Sequence, residues 1–202
     1  SRIYPPLVKC YLDMEKPEEA KEACLEWLKQ CPQMSSFEKS EIYSYIAMCC
    51  FNLNQSEEGM KYIDVALNLE PGFRGAILQK GMLHVQLGES NEALKLFFKV
   101  MDISPDDEQS EIIYNIANSY FFLRMYPETI EWCQKILQTY PEEQMEALYL
   151  IACSYYNLSD MDSCMKYLAF AFQRSNYCFE EEYLNDKRFS LMFADISNFI
   201  KK

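Results

Sequence analysis

The side chains suited to acid–base, nucleophilic or metal chemistry are few and poorly spaced for it. Histidine occurs once, at His84, inside a stretch of helical periodicity. A lone imidazole without cysteine or carboxylate at ligand spacing reads first as a packed core side chain. Nine cysteines are present without a CxxC pair. Cys49 and Cys50 are adjacent and so point about 100° apart on a helix, a poor pair of metal ligands. No HExxH and no glycine-rich phosphate loop occurs. Asp106, Asp107 and Glu108 form an acidic run whose simplest reading is a solvated turn. The chemistry on offer is that of contact, carried by 15 tyrosines, 13 phenylalanines and 11 methionines. Aromatic rings give area with few rotors to freeze, methionine adapts to irregular partners, and amide side chains pair with backbone groups. The expectation is a non-catalytic binding protein with no metal and no cofactor.

Charge narrows the partner. The formal net charge is −12, a poor match to nucleic acid phosphates or an anionic membrane surface. A neutral to mildly basic protein segment is easier to accommodate, although acidity also serves solubility. No apolar run reaches the 18 or so residues of a spanning helix, and no signal peptide opens the chain. The start without methionine, inside a repeat, points to a fragment of a longer protein. The cysteines form no disulfide framework; Cys24, Cys50 and Cys133 occupy apolar positions and act as small hydrophobes. That usage fits a reducing cytoplasm.

The elements that must position these residues are helical. Half the residues are hydrophobic, only five are glycine, and no alternating Val/Ile runs appear, so the class is all-α. In 74–107, Gly81, Ala93, Phe97 and Pro105 each fall 34 residues after Ala47, Gly59, Ile63 and Pro71. A period of this length marks a helix–turn–helix unit that stacks on its own copies. Five such units are expected, at 1–34, 40–73, 74–107, 110–143 and 145–178. Ala47, Gly81, Ala117 and Ala152 would sit where the two helices of a unit cross, while Ala20, Gly59, Ala93 and Ala171 admit the next contact. A bulky side chain there overpacks the junction by roughly 1–3 kcal/mol. Prolines 5, 6, 17 and 127 fit first turns of helices, and residues 35–39 are an insertion with a capping look. The tail, 179–202, leaves the period; Phe189, Met192, Phe193, Ile196, Phe199 and Ile200 give it an amphipathic pattern suited to a cap on the last unit.

On these residues the chain resembles the tetratricopeptide-repeat family. The resemblance implies a right-handed α-solenoid of about five repeats plus a C-terminal capping helix. It also implies a concave groove, lined by the first helix of each unit, in which a peptide lies. The groove positions project onto Tyr45, Met48, Phe51 and Asn52; onto Met82 and Gln86; onto Tyr114, Asn115, Asn118, Phe121 and Phe122; and onto Tyr149, Tyr156 and Asn157. Ser44, Leu78, Gln79, Val85 and Cys153 fall at adjoining groove positions, with Leu78 and Cys153 expected to pack inward. Adjacent Phe121 and Phe122 cannot both enter one core. First helices 40–53, 110–123 and 145–158 carry one charged residue each, Glu41, Glu111 and Glu146, so the trough is expected to be neutral. Family members that grip the acidic C-terminal tails of chaperones need lysine or arginine in the groove. Here only Arg2 and Lys9 qualify, so that clamp is expected to be absent. The alternatives are a structural spacer, a self-associating element such as a homodimer, or the non-catalytic part of a larger enzyme.

Overall fold

The structure, a computed structural model, describes residues 4–105, 109–140 and 144–174. Among them are ten α-helices and no strand. Two units are described separately, Ser1–Pro105 and Asp106–Lys202. The first contains α1 (Tyr4–Asp13), α2 (Pro17–Gln30), α3 (Ser36–Asn52), α4 (Ser56–Leu69), α5 (Arg74–Gln86) and α6 (Ser90–Ile103). The second contains α7 (Ser110–Phe122), α8 (Tyr126–Thr139), α9 (Gln144–Asn157) and α10 (Met161–Arg174). Within each unit, consecutive helices joined by short turns pack as antiparallel pairs. The second helix of a pair also packs on the first helix of the next: α2 on α3, α4 on α5 and α8 on α9. The expected end of the fifth repeat beyond Arg174, and the amphipathic tail 179–202, lie outside the described residues.

The helix ends follow from local sequence. Pro17 opens α2 and Pro127 lies in the first turn of α8, where a missing N–H costs nothing. The inserted residues 35–39 extend α3. Ser35 caps it with a reciprocal box: its Oγ accepts from the Glu38 N–H at 3.2 Å, and its own N–H donates to Glu38 Oε2 at 2.8 Å. These bonds hold the Glu38 carboxyl below the usual carboxylate range.

The turn inside each helix pair repeats one geometry. Its second residue takes a left-handed φ: Glu15 56°, Asn54 56°, Gly88 78°, Arg124 60° and Ser159 61°. The N–H that follows reaches back to close the helix, as in Gln55 to the Cys50 carbonyl at 2.8 Å and Met125 to the Tyr120 carbonyl at 2.9 Å. This is a Schellman closure, which satisfies carbonyls the helix end leaves open. Glycine fills the position only once.

The core sits between helix pairs. In the first unit Val8, Cys24, Trp27, Ile42, Ile46 and Cys50 form one cluster, and Ala47, Ile63, Ala66, Ala76 and Leu83 another. In the second, Leu148, Ala152, Cys153, Cys164, Leu168, Ala169 and Ala171 pack together. Each fully buried large aliphatic side chain contributes about 1.5–3 kcal/mol of transfer free energy. Glycine sets how closely helices approach. A Cβ on Gly59 would lie 2.9 Å from Leu83 Cδ2 and 3.1 Å from Cys50 Cβ, so α4 rests against both α3 and α5 only because that carbon is missing.

Candidate binding surface

In the first unit the trough residues divide between core and surface. Tyr45 is half-buried against the Val8–Cys24–Trp27 cluster. Burial, then the nearby Glu41 and Cys24, push its phenol above the ordinary tyrosine range. Phe51 packs half-buried on the Ala47–Leu83 cluster. Ser44, Met48, Leu78, Met82 and Val85 are half-buried, and Asn52 is exposed. Gln79 turns inward: it is 7% exposed, and its Nε2 has no hydrogen-bond partner among the described residues.

Gln86 is occupied as a strut between turns. Its Nε2 donates to the Phe51 carbonyl at 2.8 Å, and its Oε1 accepts from Ser56 Oγ. One repeat earlier, Lys21 Nζ reaches Gln55 Oε1 at 3.2 Å and Glu58 Oε2 at 2.9 Å. Burial opposes the Lys21 ammonium, but the contacts with Glu58 and the Cys50 sulfur outweigh it and hold its pKa above the ordinary value. The edge of the first unit is therefore a polar ladder crossing three successive helix pairs. His84, expected as a packed side chain, is mostly covered but has a partner: its Nδ1 meets Glu89 Oε2 at 2.6 Å across the α5–α6 turn.

In the second unit more aromatic surface is turned outward. Tyr114 lines an open cavity of about 260 Å³ with Glu111, Ile136 and Glu146. Two carboxylate side chains therefore share this cavity with a phenol ring. Phe121 is half-buried, packing on the Leu148–Leu168 core and edge-on to Tyr126 at 5.6 Å. Phe122 is left 59% exposed, its ring 6.4 Å from that of Phe121. Tyr149 is half-buried on the same core, Tyr156 is 36% exposed, and Cys153 is buried.

The amides are partly engaged by the chain itself. Asn115 Nδ2 donates to the Glu111 carbonyl at 3.0 Å, and Asn157 Nδ2 to the Cys153 carbonyl at 2.7 Å. Asn118 is half-buried and Asn52 exposed. The structure thus brings Tyr114, Phe121 and Phe122 onto one helix, α7, with Tyr149 and Tyr156 on α9 beside it. Reading by groove position passed over the exposed Met125, Leu158 and Met161 in the turns. Part of their signal was present: Met125 stands where the first unit has Gln55 and Glu89, and Met161 where it has Ser56, while Leu158 matches Leu53 and Leu87.

Burial pushes the Cys24, Cys49 and Cys133 thiols from 9.0 up to about 12, helped by the neighbouring sulfurs of Cys49, Cys50 and Cys153 respectively. Among the described residues no group of three His, Cys, Asp or Glu side chains could hold a metal ion. No helix among them is long and apolar enough to cross a membrane.

Paired helices at a near-constant repeat, small residues at the crossings and one turn geometry throughout define a class. The tetratricopeptide-repeat model matches residues 75–107, the length of one repeat, and the chain resembles that family. Among curated proteins it is similar to anaphase-promoting complex subunit 7 of Arabidopsis thaliana, 25% identical over 145 residues. That match covers 71% of this chain and 24% of the relative, so the chain spans about a quarter of the relative's length. Among solved structures, a thermophilic TPR protein of Thermus thermophilus has a TM-score of 0.71 at 13% identity, covering 96% of both chains. MamA from Desulfovibrio magneticus has a TM-score of 0.67 at 18% identity, covering 89% of this chain and 97% of that one. At these identities the likeness shows the fold, an α-solenoid of helix–turn–helix repeats.

Proposed function

We propose that this chain is a non-catalytic interaction module that holds a neutral to mildly basic protein segment along the first helices of its repeats. The observation that carries the reading is the outward set of rings on α7 and α9. Phe122 and Tyr156 are exposed, and Tyr114 opens into a cavity shared with two glutamates. Rings supply the buried area, and Glu111 and Glu146 favour a cationic over an anionic ligand side chain. An acidic chaperone tail, DNA, RNA and an anionic membrane are poor partners for the same reason. Buried thiols held in their protonated form suit a reducing compartment, and we place the protein in the cytoplasm.

Affinity capture from native lysate, with wild type and a Tyr114→Ser/Phe121→Ser/Phe122→Ser variant, tests the reading. The expected result is loss of a captured partner in the variant while its helical circular dichroism is unchanged. Equal capture by both proteins would remove the trough from the account.

A second reading has its own support in the likeness to a named complex subunit of which this chain spans about a quarter. In that reading the repeats are a structural member of a larger assembly, and the inter-repeat faces matter more than a trough. Sedimentation over a concentration series separates a homodimer, whose mass rises with concentration, from a monomer that needs a different partner.

A further inference from the structure

The turns joining helices differ in chemistry between the two units. In the first unit the α3–α4 and α5–α6 turns present Asn54, Gln55, Gly88 and Glu89, and Gln86 braces one turn on the other; the exposed apolar residues at its turns, Leu87 and, in the α1–α2 turn, Met14, stand singly. In the second unit the α7–α8 and α9–α10 turns and the helix ends beside them present Phe122, Met125, Tyr156, Leu158 and Met161. Phe122 is 59% exposed and the other four 36% to 44%. Asn157, at the position of Gln86, folds its amide back onto its own helix and leaves this edge uncovered. Because α9 packs on α7 and α8, and α7 and α9 run in the same sense, both turns emerge at one edge. Packed helices place such turns roughly 10 Å apart.

Size and charge choose the occupant. Large side chains present about 150–250 Å² each, so these partial exposures leave roughly 400 Å² of apolar edge. That is the scale of functional patches on monomers and of the apolar share of one side of a standard interface. A second copy of this chain, with a formal net charge of −12, would bring like charge to this acidic edge. Glu128, Asp160 and Asp162 stand at the same two turns against one cation, Arg124. A helix displaying apolar side chains at i, i+4 and i+7 spans about 10 Å, matching the spacing of the turns.

We infer that the paired α7–α8 and α9–α10 turns are a docking edge for an amphipathic helix of another protein, its apolar stripe flanked by lysine or arginine. This surface adjoins the trough, sharing Phe122 and Tyr156 with it, but is centred on Met125, Leu158 and Met161 outside it, and it does not require that a segment lie along the trough.

The test uses fluorescence anisotropy on the whole chain with three labelled peptides of about four helical turns. One has a leucine stripe flanked by lysines, one has the same stripe flanked by glutamates, and one is a scrambled Leu/Lys sequence. The Leu/Lys peptide is expected to bind at least about tenfold more tightly than either control. Met125→Ser/Leu158→Ser/Met161→Ser, exposed positions outside the trough, should weaken it by a similar factor with unchanged circular dichroism. Glu128→Gln/Asp162→Asn should reduce both the affinity and its salt dependence. Equal binding of the scrambled or Leu/Glu peptide, or undiminished binding by the turn variants, would overturn the inference. Tyr114→Ser should leave the peptide affinity unchanged. Loss with Tyr114→Ser alone would place the peptide in the trough, supporting that reading and refuting this one.

Discussion

Gly81 in α5 lies directly under the ring of Phe97 in α6: a Cβ there would fall 2.8 Å from Phe97 Cδ1 and 2.9 Å from Cζ. Phe97 is fully buried, so its ring has no room to retreat. The pair fixes how closely the two helices of this repeat cross.

Gly81→Ala should therefore destabilise the protein by roughly 1–3 kcal/mol, the usual cost of overpacking. At Gly72, where an added Cβ would meet nothing within 4 Å, the same change should be nearly neutral. Urea unfolding of both variants checks this, and equal midpoints would show that the crossing is not closely packed.

The left-handed turn residues give a prediction of opposite sign. Arg124 and Ser159 hold φ of 60° and 61°, a conformation costing a side-chain-bearing residue roughly 1–2 kcal/mol. Arg124→Gly and Ser159→Gly should each stabilise by up to about 1 kcal/mol, offset in part by unfolded-state entropy. Gly88→Ala should destabilise by a similar amount. Thermal melts of the three variants check the ordering.

The repeat was legible because Gly81, Ala93 and Phe97 are buried where helices cross, and such contacts restrict residue type. The helix starts at Pro17 and Pro127 were legible for the same kind of reason, since proline has few tolerated places in a helix. The shared turn geometry was not, because Glu15, Asn54, Gly88, Arg124 and Ser159 have no side-chain chemistry in common; backbone hydrogen bonds fix it. Groove position also said little about orientation. Tyr45 and Phe122 were assigned to the same lining, yet one leans on a core cluster and the other faces solvent, because their neighbours differ. Gln86, Asn115 and Asn157 read as ligand-facing amides, but each has a backbone carbonyl of this chain within reach.

Gln79 supplies a third prediction. A buried amide nitrogen without a partner costs about 1–3 kcal/mol relative to a satisfied one. Gln79→Met keeps the length of the side chain and removes that donor, so it should be neutral or stabilising. A fall in melting temperature would show that the Gln79 amide is hydrogen-bonded in the folded chain.

Cysteine chemistry should follow burial. Iodoacetamide on the native chain should label the exposed Cys10 ahead of Cys24, Cys49 and Cys133, whose thiols burial holds protonated up to about 12. Peptide mass spectrometry reads the order. Linkage adds a pH effect of definite sign. The raised folded pKa values give stability that is fully present below the unfolded thiol pKa, near 9.0. It declines as pH climbs from there towards 12, because only the unfolded thiols ionise. Unfolding midpoints that stay constant across that range would contradict the burial of these thiols.

The most direct measurement is affinity capture with Phe122→Ser/Tyr156→Ser, which changes the two exposed rings of α7 and α9. The account predicts that wild type retains a protein partner that the variant releases, with the same helicity and melting temperature in both. A variant that captures the same partner to the same extent would contradict the claim that these outward rings hold it.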